Sequence, residues 1–200
     1  MPRPTTAKLT GSFYRRPAVE LARALLGKRF TRIVEGERLS GMIVETEAYL
    51  GEGDDAAHSA RGKTERNATM FGEAGKLYVY FTYGAHHCLN VVAPGAGDAA
   101  LIRAVEPLEG IDTMARNRFG EPATSEKDRR RLADGPGKLC QAYGVDRRHD
   151  GVDLAGDEIF LEREVRRGFE IVTTTRVGIS KSSELPLRFY IKDNQYVSKR

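Results

Sequence analysis

From Leu39 through Gly41, Ile43, Glu45 and Glu47, every second residue would share one face of an extended chain, and that face is apolar until its last two positions, which are acids. Successive side chains of a strand point to opposite sides, so a period of two sets Glu45 and Glu47 beside the apolar run. A fold with this strand in its core must take ionised carboxylates out of water. Each costs several kcal/mol unless a cation or hydrogen-bond donors meet it, roughly the whole stability margin of a small domain. The segment therefore calls for a buried salt bridge to one of the arginines or for a site where a carboxylate does chemistry. Alternation alone chooses neither between these readings nor between Glu45 and Glu47.

Two hundred residues at 40% hydrophobic content suit a single domain over 1–200, with residues 1–11 a loosely ordered N-terminal arm. No run approaches the roughly 18 apolar residues of a membrane span, and the opening Met-Pro-Arg-Pro-Thr-Thr-Ala-Lys lacks a signal-peptide core, so a soluble intracellular protein of the cytoplasm or nucleoid is expected. Cys88 and Cys140, each in apolar company, read as buried free thiols. The net charge is +4, and its distribution says more than its size. Arg116, Arg118, Lys127, Arg129, Arg130 and Arg131 cluster, with Arg147-Arg148 and Arg166-Arg167 following, whereas five acids and no base lie between Glu45 and Asp55. A basic exterior around an acidic centre suits an enzyme acting on nucleic acid, although charge runs are most often solvated faces.

Pro17 to Gly27 has the proline, apolar spacing and terminal glycine of a short amphipathic helix. Arg29 to Val34 and Arg38 to Ala48 alternate around Glu35-Gly36-Glu37 as a hairpin, and Gly51 to Arg66 reads as an irregular loop holding His58. Lys76 to Tyr83 is the strongest strand signal, and His86 to Ala93 and Ala99 to Val105 complete a three-stranded meander. From Pro107 to Tyr143 the pattern is helical and basic, ending in a short helix Lys138 to Tyr143; Glu158 to Leu161, Glu170 to Val177 and Leu187 to Lys192 read as closing strands.

Tyr49, Tyr78, Tyr80 and Tyr83 are half of the chain's eight tyrosines and adjoin the acidic segment. Aromatic faces near an acid suit a planar ligand, since stacking a nucleobase is worth roughly 1–3 kcal/mol whatever the base. Tyr78 reads as a core aromatic of the sheet. Tyr83, just before Gly84, falls at a hairpin tip, where an exposed ring can act as a wedge between base pairs. His58 with the two glutamates makes a poor metal motif, and His86-His87 are adjacent and point apart on a strand, so no metal is expected. Asn90 and Arg103 fall on neighbouring strands, where an amide can read a base edge and a guanidinium can orient a carboxylate; taken singly, each is an ordinary polar residue of a half-exposed sheet. Phosphate-loop, dinucleotide and nucleophile-elbow motifs are missing from the sequence, which disfavours the corresponding hydrolases and dehydrogenases.

Val44-Glu45-Thr46-Glu47-Ala48-Tyr49, Ala56-Ala57-His58-Ser59, Leu77-Tyr78-Val79-Tyr80 with Tyr83-Gly84, Leu101-Ile102-Arg103-Ala104 and Glu106-Pro107-Leu108-Glu109-Gly110 together resemble the alkyladenine (3-methyladenine) DNA glycosylase family. The similarity runs in register from about Ser12 to Ser198, through Gly135-Pro136-Gly137-Lys138-Leu139-Cys140-Gln141 and Pro186-Leu187-Arg188-Phe189-Tyr190. It implies one α+β domain with a curved, mostly antiparallel mixed sheet, short flanking helices and a protruding β-hairpin that enters DNA. It also implies that Glu47 is the general base of a base excision repair enzyme that flips alkylated or deaminated purines out of duplex DNA and hydrolyses the N-glycosidic bond, leaving an abasic site. By the same resemblance Tyr49, His58 and Tyr80 hold the flipped base, Asn90 crowds the 2-amino group of normal guanine, Tyr83 fills the gap in the duplex, and Arg103 and the backbone of Val177 position the water. Glu45 is then structural. The expected protein is a monomer without cofactor or metal whose partner is double-stranded DNA carrying damaged purines. One departure stands out: Ala85-His86-His87 follows the wedge where better-known members carry bulkier apolar and aromatic residues. The alternatives are a non-catalytic damage-recognition module and a nucleosidase acting on free nucleosides.

Overall fold

Ala18, Leu21, Ala22 and Leu25 recur at helical spacing, and all four are fully buried in α2 (Ala18–Leu25). This helix follows α1 (Gly11–Tyr14) and lies against the strand with the two acids, to which it is tied by Thr46 Oγ1 donating to the Ala22 carbonyl at 2.8 Å. These elements belong to a computed structural model that describes residues 7–82, 84–165 and 168–199. β1 (Lys28–Val34) and β2 (Glu37–Tyr49) form the expected hairpin. Its two-residue turn needs positive φ at both positions, and Glu35 (φ 50) and Gly36 (φ 82) supply it, the glycine without strain.

β2 is the spine of the sheet. On one side it pairs with β1 along Glu37 to Met42 and then with β8 (Arg188–Ile191) along Glu45 to Glu47; on the other it pairs with β5 (Ala99–Glu109) from Ser40 to Tyr49. With β3 (Leu77–Thr82), β4 (His86–Val92), β6 (Ile159–Glu164) and β7 (Ile171–Thr174) the order is β3-β4-β5-β2-β1-β6, with β8 on β2 and β7 on β8. Exchanging one neighbour for another along a single long strand curls the sheet into a half-barrel. The α+β domain with a curved sheet and short helices is as expected, and the pairing is antiparallel throughout the described strands rather than mixed.

Several boundaries differ from the sequence reading. β5 runs through Pro107 to Glu109 instead of turning helical at Pro107. A proline is tolerated there because the register with β2 shifts between Ser40 and Gly41, the last opposite Pro107. The helical stretch resolves into α3 (Ile111–Phe119), α4 (Glu126–Arg130) and α5 (Pro136–Tyr143). The loop after β2 ends in a 3-10 helix, Glu65–Phe71. Of the arm expected over 1–11, residues 1–6 lie outside the described residues, and Leu9 donates to the Leu161 carbonyl of β6 at 2.8 Å. β3 and β4 pair from Leu77↔Val91 to Thr82↔His86, while Tyr83, between them, lies outside the described residues. No helix among the described residues is long and apolar enough to cross a membrane.

Gly41 sets the distance between layers. A Cβ there would meet Val105 Cγ1 at 2.3 Å, the Glu106 carbonyl at 2.7 Å and the Tyr143 hydroxyl at 2.8 Å, so β2, β5 and α5 close up only over a missing side chain. Gly41→Ala should cost about 1–3 kcal/mol of stability by overpacking, read as a lower urea midpoint; an unchanged midpoint would contradict this packing.

Candidate active site

Glu45 and Glu47 are both fully buried on β2, and one guanidinium lies between them. The β2–β5 register is irregular from Ile43 to Thr46, and Arg103 sits on β5 at that point. Its Nε is 3.3 Å from Glu45 Oε1 and its Nη1 3.2 Å from Glu47 Oε1. Burial works against the arginine's charge, but Glu47 and then Glu45 outweigh it and hold the guanidinium firmly protonated.

The two acids differ in what else they hold. Glu45 accepts from Arg188 Nε at 2.7 Å and from the Ser198 amide at 2.7 Å, and Arg188 Nη2 reaches on to the Lys199 carbonyl. Glu47 accepts from the Val177 amide at 2.9 Å on Oε1 and from the Tyr49 hydroxyl at 2.9 Å on Oε2. Burial first, and then the Glu47 charge, push the Tyr49 phenol far above its ordinary range, so it remains a donor. A carboxylate has about four acceptor positions. Val177, Arg103 and Tyr49 occupy three on Glu47, so among the described residues one is open.

Tyr49, Arg103 and Val177 also line a cavity of about 410 Å³, within the range of small-ligand pockets, and Glu47 lies directly behind them. His58, Tyr80 and Asn90 complete the expected set on the same cavity. Glu47 and the six lining residues thus come together, and only Tyr83 among the candidates falls outside the described residues. Tyr80 stacks on Tyr78, ring centroids 5.2 Å apart, and meets His58 edge-on at 4.3 Å. Tyr78 is fully buried, as a core aromatic should be, yet its hydroxyl is also 3.1 Å from His58 Nδ1. Burial first, and Arg66 second, lower the His58 pKa, which keeps the imidazole neutral near pH 7, one nitrogen donating and the other accepting. Asn90 is buried with its Oδ1 lacking a hydrogen-bond partner among the described residues.

Cys88 and Leu101 also line the cavity and were not anticipated. Both signals were present: Cys88 is two residues before Asn90 on the same strand, and Leu101 is the register partner of both Asn90 and Glu47. Also unanticipated was the pair Asp54 and Arg176, both side chains fully buried, with Arg176 Nη1 2.6 Å from Asp54 Oδ2 and Nη2 2.7 Å from Oδ1. Arg176 also donates to the carbonyls of Ala48 at 3.1 Å and Ser182 at 3.2 Å, while Asp54 accepts from the amides of Leu50 and Ala56, each at 3.1 Å. Three segments of the cavity wall meet at this pair: the end of β2, the loop leading to His58, and the loop leading from Val177. No group of three or more metal-ligating side chains forms among the described residues.

A family model for methylpurine-DNA glycosylase matches residues 12–195. Similar curated proteins, which bear the provisional name 3-methyladenine DNA glycosylase, include one from Alkaliphilus oremlandii, 47% identical over 96% of this chain and 100% of its own. Others are from Chlorobium luteolum, 48% identical over 96% and 97%, and Carboxydothermus hydrogenoformans, 46% identical over 96% and 99%.

Removing one partner of a buried ion network typically costs about 3–5 kcal/mol, so Glu45→Ala should destabilise the fold by that much in urea titration, and a loss under 1 kcal/mol would argue against the network. Burial first, against weaker opposing effects of Tyr80 and Arg103, pushes the Cys88 thiol up to about 11, and burial also raises that of Cys140 well above the ordinary thiol range. At pH 8 only about one Cys88 in a thousand is then thiolate, so a thiol reagent should label neither cysteine rapidly until urea unfolds the protein. Fast labelling of the folded protein would contradict that environment.

Proposed function

The chain belongs to the methylpurine-DNA glycosylase family, and on that premise we propose that it is a DNA repair glycosylase in which Glu47 activates water to release alkylated or deaminated purines from duplex DNA. The observation that carries this reading is a fully buried carboxylate with one open acceptor position, held by Tyr49, Val177 and Arg103 behind a cavity wide enough for a purine.

A target base lies inside a stacked duplex, so its nucleotide is extruded at a cost of a few kcal/mol, least where the base is damaged or mispaired. Tyr83 fills the gap, and Tyr49 and Tyr80 return stacking energy to the flipped base, with a cation–π gain for a positively charged one. The neutral His58 reads the base edge, and Asn90 crowds the 2-amino group that normal guanine carries. Water takes the open position on Glu47, which accepts its proton as the oxygen attacks C1′. The C1′–N bond breaks with its electrons going to the base, through an oxocarbenium-like sugar that the carboxylate also stabilises; a cationic base leaves neutral, a neutral one leaves as an anion that takes a proton from solvent, and Glu47 returns its proton to solvent. Arg103 and the Val177 amide hold the Glu47 carboxyl group in its aim. The products are free base and an abasic site, and no covalent enzyme intermediate forms.

Because a general base contributes roughly 10²–10⁴-fold, Glu47→Gln should slow base release from a 7-methylguanine or hypoxanthine duplex by at least 100-fold while leaving preferential binding to the damaged duplex intact. Undiminished release would remove Glu47 from its role. A wild-type protein that binds lesions but frees no base would be a recognition module, and a borohydride-trapped adduct would point to an amine nucleophile instead of water.

A further inference from the structure

Arg176 does more than close an ion pair, because its guanidinium carbon lies 4.6 Å from the centroid of the Tyr49 ring. Tyr49 lines the cavity and Arg176 does not, so the cation covers the ring face turned away from the space where a base would stack. Resting on the glycosylase reading above, we propose that Arg176 is a positioning residue that sets selectivity for charge: a cation held behind Tyr49 lowers the ring's attraction for a positively charged base and so widens the substrate range toward neutral damaged purines.

The face of an aromatic ring attracts cations because its quadrupole is negative there. A guanidinium on one face draws that density toward itself and repels a second cation arriving at the other. Stacking of a neutral base, which depends on dispersion and area, is hardly affected. Asp54 offsets part of the charge through Nη1 and Nη2, while the guanidinium carbon itself lies over the Tyr49 ring. The pair is also fixed in place. Its carbonyl partners Ala48 and Ser182 hold the guanidinium fork, and the next residue, Val177, donates to Glu47. A purely structural ion pair would be indifferent to the charge of the bound base.

The test uses single-turnover release at saturating enzyme from matched duplexes carrying 7-methylguanine, which is cationic, or hypoxanthine, which is neutral, and reads the ratio of the two rates relative to wild type. Intrinsic leaving-group differences cancel in that comparison. Replacing the ion pair by a neutral one, Asp54→Asn with Arg176→Gln, should raise the preference for the cationic base about three- to tenfold, the scale of one partly desolvated cation–π contact. Asp54→Asn alone leaves the arginine without its counter-charge and should move the ratio the other way, about two- to threefold. Arg176→Lys keeps the charge but loses the fork, and should slow both substrates while leaving their ratio within about twofold of wild type. The same ratios are read as lesion affinities in a Glu47→Gln background, where base release is too slow to interfere with the measurement. Ratios unmoved in every folded variant would overturn the inference while leaving the glycosylase reading standing. A wild-type protein that neither releases a base nor distinguishes damaged from intact duplex would overturn both. If the double variant does not fold, the opposite shift expected of Asp54→Asn decides the matter alone.

Discussion

Two carboxylates on one buried strand would repel each other and pull the strand apart from its neighbours, and the guanidinium of Arg103 between them turns that liability into the feature on which the site is built. Two buried acids with no cation, or with only one, would leave a net charge in low dielectric at a cost of several kcal/mol. Here Arg103 and Arg188 balance Glu45 and Glu47, and hydrogen bonds then divide the labour. Glu45 is bound by two arginines and a backbone amide and has a structural part. Glu47 is met by groups that also line the cavity, which is what a carboxylate needs if it is to act on something held there.

The rest of the molecule serves to bring these groups together. β2 supplies the acids and Tyr49, β5 supplies Arg103 and Leu101, β4 supplies Asn90 and Cys88, and β3 supplies Tyr80, all through antiparallel register. His58 and Val177 come from loops, which register cannot position. The buried pair of Asp54 and Arg176 does that work, tying both loops to the end of β2. Site residues therefore owe their precision to two different devices, a ladder for the strands and a charged clasp for the loops.

Much of this was legible in the chain because the relevant signals are local. Alternation ending in Glu45 and Glu47 marked a core strand with a chemical demand, and Glu35-Gly36 marked its turn. Resemblance of short motifs then singled out Tyr49, His58, Tyr80, Asn90, Arg103 and Val177, which the fold gathers around one cavity. What escaped reading depends on distance along the chain. Asp54 and Arg176 are 122 positions apart, and nothing in the neighbourhood of either announces a partner. The end of β5 was misjudged because Pro107 ordinarily stops a strand, and only the irregular register with β2 makes room for it. Cys88 passed as a plain core thiol because its place on the cavity follows from strand parity with Asn90.

The fastening of Glu45 to the Ser198 amide joins positions 153 residues apart, and Arg188 reaches on to the Lys199 carbonyl. On the ribosome, β2 emerges early with both acids and waits for most of the remaining chain before this neutralising shell can close. A partly made molecule consequently carries an unbalanced acidic strand and no finished site. Closure of the acidic strand is thus tied to one of the last-made stretches of the chain.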